Sequence, residues 1–359
     1  MKSTNLFILF FTIITISCIS GVGAQTPHAS FYELPSSNGF GSVHYSFHAQ
    51  DHKIAAFYPH IYKQCDASTD FTPNLAYDMY FGIRTDQAVW LNTRGETRVE
   101  YEPGTGIIVT ETTAPTASGD VTLRQYVFAP FSLDRAAFTA VLELEGPAPA
   151  AELFALLNFH MGQPPDFTAG ENIAQAGSGF VESGGREYVL YVRPLGQPDG
   201  VLAGTGNGGP WQTMIAGQDY PETFAAAQGD DLALGLQFGF DAGVSASNTV
   251  RIAVVVAAGT AEQATGLIAA VDAYAAGKTP LDLLEEERAR WAAFQARAAL
   301  PAGVSADEER LVRQGLAVMR MAQVREPDED GKTPYGQILA ALPKARPAAG
   351  EGIWNVAWV

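Results

Sequence analysis

A change of hydrophobic period at Gly259 constrains this chain more than any other feature. Before it, from about Phe40 to Ala258, apolar residues follow a strand rhythm: Val43, Tyr45 and Phe47 alternate with His44, Ser46 and His48. Further strands are expected at Ala76–Arg84, Ala88–Asn92, Arg98–Tyr101, Gly106–Thr112, Val121–Phe128, Ala136–Leu144, Leu153–Phe159, Tyr188–Val192, Leu232–Phe240 and Val250–Ala257. Gly, Pro, Asn and Asp punctuate the gaps, as turn chemistry requires. No helix-length pattern intervenes, so a large antiparallel two-sheet sandwich is expected rather than the parallel sheet of an α/β protein.

After Gly259 the spacing is helical. Thr260-Ala-Glu-Gln263 and Ser305-Ala-Asp-Glu308 are capping boxes, in which hydroxyl and carboxyl or amide side chains satisfy the free amides of a first turn. The helix opened at Thr260 runs to about Ala276, with Gly277 placed to stop it. Thr279-Pro280 supplies an N-cap and a proline at the first helical position, opening a helix with Leu284, Trp291, Phe294 and Ala298 on one face and Pro301 at its end. The helix after Ser305 carries Val312, Leu316 and Met319 at helical spacing. The organisation read from these signals is a leader at 1–24, a β domain at 27–275, a linker helix at 279–300 and the start of a helical domain at 303–359. Residues 326–359 are rich in Pro, Gly and Ala, unusual for a finished domain.

At the N-terminus Lys2 precedes an eleven-residue apolar run, Leu6–Ile16, and then Val22-Gly23-Ala24 before Gln25. This is the pattern of a secretory signal cleaved after Ala24, and the run is shorter than the roughly 20 residues of a bilayer span. The mature chain is expected to be secreted or periplasmic, without a membrane segment. Cys18 as a lipid-attachment cysteine is the alternative, but Ile14-Thr15-Ile16-Ser17 lacks the usual leucine. Cys65 is then the single cysteine of the mature chain, so no internal disulfide framework exists; without an adjacent base in sequence it reads as a structural thiol.

The chain has 359 residues, with 22 Lys and Arg against 39 Asp and Glu, for a net charge of −17. Nucleic acid and anionic membranes are disfavoured as partners, since both need clustered positive charge. Gly204, Gly206 and Gly209 fit G-x-G-x-x-G, but Pro210-Trp211 follows and no helix pattern does, so a dinucleotide loop is rejected. Five of six histidines (His28, His44, His48, His52, His60) precede Cys65. Residues i and i+4 on a strand lie about 13 Å apart, so His44 and His48 cannot share a metal, and no metal or cofactor is expected. No nucleophile elbow or phosphate loop is present. Paired carboxylates hydrolyse glycosidic bonds, but Glu326, Asp328, Glu329 and Asp330 read as a solvated loop, and Glu351 is only a slightly better candidate to line a site. Trp354 and Trp358, four apart, fall on one helix face; their indoles either stack on sugar rings or pack a core.

Pro35-Ser-Ser-Asn-Gly-Phe-Gly41, Leu75-Ala-Tyr-Asp-Met-Tyr-Phe-Gly82, Trp291, and Tyr335-Gly-Gln-Ile-Leu-Ala-Ala341 leading to Gly352-Ile-Trp-Asn-Val-Ala-Trp358 resemble the bacterial glucoamylase-like members of glycoside hydrolase family 15. The resemblance spans nearly all of the mature chain, and its closing W-x-x-x-W segment is its most specific part. It implies an N-terminal β-supersandwich, a helical linker and the start of an (α/α)6 barrel, in an enzyme that releases sugar from α-glucan ends with inversion. It carries over Trp354 and Trp358 as sugar-subsite residues. In that family an Arg-Asp pair follows the tryptophan matching Trp358, and the general acid and base are glutamates further along the barrel; no position in these 359 residues matches them. Hence no catalytic residue is assigned, the barrel is expected to be incomplete, and the chain alone is expected to be inactive. The alternatives are a non-catalytic carbohydrate-binding or structural sandwich module, and another barrel hydrolase, phosphorylase or lyase on the same plan. An uncovered face at Val312, Leu316 and Met319 would favour self-association.

Overall fold

The computed structural model describes residues 31–48, 51–61, 73–94, 97–116, 119–146, 151–164, 166–224, 226–240, 249–327, 333–339 and 342. In chain order these form strands β1 (Phe31–Ser37), β2 (Ser42–His48), β3 (Lys53–Tyr58), β4 (Ala76–Arg84), β5 (Ala88–Trp90), β6 (Arg98–Tyr101), β7 (Ile108–Thr116), β8 (Gly119–Phe128), β9 (Ala136–Glu145), β10 (Ala151–Phe159), β11 (Glu171–Ala176), β12 (Gly179–Ser183), β13 (Tyr188–Leu195) and β14 (Gly200–Gly204). A short helix α1 (Pro210–Ile215) follows, then β15 (Ala227–Gly229), β16 (Ala233–Phe240) and β17 (Thr249–Thr260), and finally α2 (Ala264–Ala275), α3 (Pro280–Gln295) and α4 (Ala306–Met321). No helix among the described residues is long and apolar enough to cross a membrane.

The strands make two antiparallel sheets. The first runs β1-β2-β3-β4-β10-β16-β14, with β5 also paired to β4; the second runs β15-β11-β12-β13-β17-β9-β8-β7-β6. Period-2 alternation aims one face of each sheet at the other. Val43, Phe57, Phe81 and Leu157 meet Leu123, Phe138, Leu142 and Val254 in a closed core, where Phe57 and Phe138 touch edge to face at 5.0 Å across the two sheets. Each such buried ring is worth about 1.5–3 kcal/mol relative to exposure.

β9 and β17 break the alternation because both of their faces are covered. Phe138, Leu142, Val254 and Val256 face the sandwich, while Ala137, Val141, Ala253 and Val255 face the helices. Leu267 and Val271 of α2, Leu283, Leu284 and Trp291 of α3, and Ala317 and Met321 of α4 complete that outer cluster. The capping boxes expected at Thr260 and Ser305 form, and the N-cap expected at Thr279 is itself a capping box with Asp282 as its acidic member. Gly277 takes φ +68°, which suits glycine at a helix end.

Helix α3 differs from its expected form in two ways. It ends at Gln295 rather than near Pro301, because the next amides tighten to three-residue turns, Arg297 to Phe294 O at 3.1 Å and Ala298 to Gln295 O at 3.1 Å. Its buried row is Leu283, Glu287, Trp291 and Gln295, so two polar residues lie where an apolar stripe was expected. Both are satisfied. Glu287 Oε2 accepts the Phe131 amide at 3.1 Å, and burial, partly offset by that bond, pushes its carboxyl up to about 7. Gln295 donates to Gly104 O at 2.8 Å and Arg313 O at 2.9 Å. The Glu102–Ile107 turn is therefore the dock for the helices: Arg288 pairs with Glu102 at 2.9 Å, and Gln314 Nε2 reaches Thr105 O at 3.0 Å.

The Pro35–Gly41 segment is a second clamp. Asn38 is fully buried; its amide donates to Pro130 O, Leu133 O and Arg135 O at 3.0, 3.0 and 2.9 Å, and its oxygen accepts the Phe40 and Gly41 amides. Gly39 has φ +88°, and a Cβ there would lie 2.6 Å from Arg325 Cγ and from Gln323 O. The segment after α4 thus closes against the first turn, with Arg325 N bonded to Gly39 O at 2.8 Å.

Trp291 is the apolar anchor of α3, edge to face with Phe131 at 5.2 Å. Trp291→Ala is expected to cost about 3–5 kcal/mol in urea unfolding; a loss under about 1 kcal/mol would mean that the polar dock holds the helix without it.

Candidate functional site

The face of the first sheet that points away from the core holds a cleft. In register across four neighbouring strands lie Asp78 (β4), Asn158 (β10), Ala233 (β16) and Gly204 (β14). The next outward row is Tyr80, Leu156, Gly235 and Leu202. Ala233 and Gly204 project almost nothing, so the middle of the face is hollow. The turn from Gly204 to Gly209 and the start of α1, with Trp211 and Gln212, raise one wall and enclose about 300 Å³.

Glycines allow that wall to sit close. A Cβ at Gly235 would lie 2.4 Å from Pro210 Cβ, and one at Gly82 would lie 2.7 Å from Trp90 and 2.8 Å from Met214. Trp90 Nε1 then donates to Trp211 O at 3.2 Å and Tyr220 OH to Pro210 O at 2.7 Å, pinning α1 to the sheet.

Polar groups gather at one end. Asn158 Nδ2 donates to Asp231 Oδ1 at 3.3 Å, whereas its buried Oδ1 has no partner. Asp231 takes φ +53°, a conformation that Asp tolerates better than most residues, and its amide is held by Thr168 O at 2.7 Å. His160, stacked on Tyr77 at 4.4 Å, lies 3.9 Å from Asp231. Burial lowers its pKa, opposed by the Asp231 charge. Lys53 Nζ sits 3.6 Å from Asp78 Oδ2 and 3.1 Å from Asp51 Oδ2. Burial nevertheless pushes Asp78 up to about 6, outweighing the pull of Lys53. The arrangement is rich in acceptors, with an indole and a phenol beside it.

A second cavity, about 330 Å³, lies where the helices meet the sandwich, lined by Arg290, Arg297, Arg320 and Arg325 around Phe131 and Phe294. Arg320 stacks over Phe131 at 4.8 Å and Phe294 at 5.7 Å. Burial, with the charges of Arg325 and Arg297, lowers its pKa.

Trp354, Trp358, Glu351, Cys18, Cys65 and residues 328–330 lie outside the described residues. The described histidines are not brought together: His44 bonds Ser42 at 2.9 Å, His52 bonds Tyr45 at 2.8 Å and Arg94 O at 2.8 Å, and His60 pairs with Glu326 at 2.9 Å. Glu326 also accepts the Ile61 amide at 2.9 Å, so it is a structural tie rather than a solvated loop residue. The glycine motif needs a correction. A helix does follow it, α1, because Pro210 is well suited to a first helical turn. That helix is six residues long and leads back into an antiparallel sheet, so the setting remains unlike a dinucleotide fold. Sequence reasoning passed over Asp78, Asn158 and Asp231. The available signal was a lone polar residue inside an otherwise apolar strand, as in Leu153-Phe-Ala-Leu-Leu-Asn158-Phe159.

The two-sheet sandwich with helices on one outer face is a glucoamylase-like fold. The chain is similar to a bacterial glucoamylase complexed with acarbose, at TM-score 0.57 and 11% identity, over 82% of this chain and 41% of that one. It is also similar to a protein named as a kojibiose phosphorylase, from the human microbiome, at TM-score 0.52 and 12% identity, over 80% and 39% respectively. The chain thus spans about two fifths of the length of these structures. No protein-family model matches it, and no curated protein matches it in sequence.

Because the folded pKa of Asp78 is raised above its unfolded value near 3.9, the neutral carboxyl favours the fold, and stability falls as pH rises from about 4 to about 6. Asp78→Asn removes that dependence. Its stability relative to the natural chain should rise by up to about 2–3 kcal/mol between pH 4.5 and 7.5, read by urea unfolding at both; an equal difference at the two pH values would contradict this.

Proposed function

We propose that the chain is the N-terminal part of an exported glycoside hydrolase of glucoamylase type, which removes sugar from α-glucan chain ends with inversion. In this reading residues 1–24 direct export, the sandwich and α3 are the supporting domain and linker, and α4 opens an (α/α)6 barrel. Trp354 and Trp358 form the aromatic edge of the first sugar subsite. The general acid and base belong to the part of such an enzyme that these residues do not span. Inversion needs two carboxyls about 6.5–9.5 Å apart with a water between sugar and base, a geometry that requires a rigid frame.

The observation that carries this reading is the joint match of sandwich and docked helices to the bacterial glucoamylase over 82% of this chain. The cleft on the first sheet favours a second reading, a non-catalytic carbohydrate-binding module. Helix α4 supports a further expectation of self-association, since Val312 is 40% and Met319 51% exposed, beside Leu311 and Val318.

The test is maltotetraose cleavage by the protein as the source cells export it, followed by proton NMR. A product about twice the mass of this chain, releasing β-glucose first without added phosphate and losing that activity in Trp358→Ala, is expected. Phosphate-dependent release would assign a phosphorylase, and glucose release by the 359-residue chain alone would overturn the placement of the acid and base.

A further inference from the structure

We propose that the cleft on the outer face of the first sheet, between the Asp78–Asn158–Ala233 row and the Gly204–Gln212 wall, is a binding site for one neutral hexopyranose ring. The assignment rests on the cleft itself and stands apart from the hydrolase reading.

The chemistry of the lining excludes the other common ligands. No Lys or Arg lines the cleft, and Asp78 and Asp231 would repel a phosphate or carboxylate. A divalent cation would need several oxygen ligands, whereas Asp78 is already engaged by Lys53 at 3.6 Å, and no group of three His, Cys, Asp or Glu among the described residues is placed to hold a metal ion. A purely apolar ligand would strand the carboxylates and the Asn158 amide away from water.

A sugar ring satisfies all of these groups together. Its hydroxyls donate, and the floor accepts through the Asp78 carboxylate and through Asn158 Oδ1. Asn158 lines the hollow and is 9% exposed, and its Oδ1 is buried without a partner, so a turn of the amide would bring an unpaired acceptor to the end of the hollow. Asp231 is held toward the same place by its bond to Asn158 at 3.3 Å. On the wall, half-buried Trp211 offers the apolar surface that the C–H face of a pyranose covers. The small side chains of Ala233 and Gly204 make the space, and about 300 Å³ lies at the low end of ligand pockets, suiting one ring.

The experiment titrates the 359-residue chain with the methyl α-glycosides of glucose, galactose and mannose, followed by saturation-transfer NMR and calorimetry. At least one should bind with Kd of about 10 mM or tighter. Ala233→Phe, which fills the hollow from the outer face, should weaken it at least tenfold while the circular dichroism spectrum is unchanged. Trp211→Ala, at a partly exposed position, should weaken it several-fold and covers the case in which Ala233→Phe does not fold. Met319→Ser on α4 should leave binding as it was. No transfer from any of the three sugars, or binding that survives both cleft substitutions, would overturn the proposal, as would calcium chloride alone saturating the cleft in place of sugar.

Discussion

The architecture depends on one constraint: β9 and β17 carry apolar side chains on both faces. A sheet with one wet face can stand alone beside a partner sheet. This one cannot, because Val141 and Val255 on the far side would be left in water. The sandwich core covers one side, and α2, α3 and α4 must cover the other. The helices are therefore part of the fold's closure, and the polar dock at Glu102–Ile107 serves to place a cover that burial already demands.

The outer face of the first sheet is covered only in part, where Tyr80, Phe154 and Leu156 pack with Trp90, Met214 and Tyr220, and beside that cover the chain can afford polar side chains. The same alternation that sends Met79 and Leu157 into the core sends Asp78 and Asn158 outward. Their neighbours Ala233 and Gly204 decide that the face is hollow rather than flat. The second sheet has become scaffold through its covering, and the first has kept room for chemistry.

Much of this was legible in the residues. Strands β2, β4 and β6 fall at or close to the bounds expected of them, and the capping boxes placed α2 and α4. The strands that escaped, β1, β3, β11, β12, β14 and β15, share weak local signals. Pro35 interrupts β1, β3 reads Ile-Ala-Ala-Phe-Tyr without alternation, and β14 is Gly-Val-Leu-Ala-Gly; pairing with neighbours and burial, not propensity, make them strands. The cleft escaped for another reason. Asp78, Asn158, Ala233 and Gly204 are separated by 80, 75 and 29 residues along the chain and meet only through the ladder order β4-β10-β16-β14. Two segments that carried the family resemblance have acquired distinct duties: Pro35–Gly41 clamps the two sheets, and Leu75–Gly82 supplies one wall of the cleft floor.

The contact between Arg325 and the turn at Asn38 joins residues 287 apart in sequence. A turn whose last partner is so distant cannot be completed early during synthesis. The β1–β2 hairpin around Asn38 can pair as soon as it emerges, whereas the contact of Asn38 and Gly39 with Arg325 must wait until Arg325 has left the ribosome. The turn at Asn38 is thus completed late, and its glycine leaves room for an arginine made 286 residues after it.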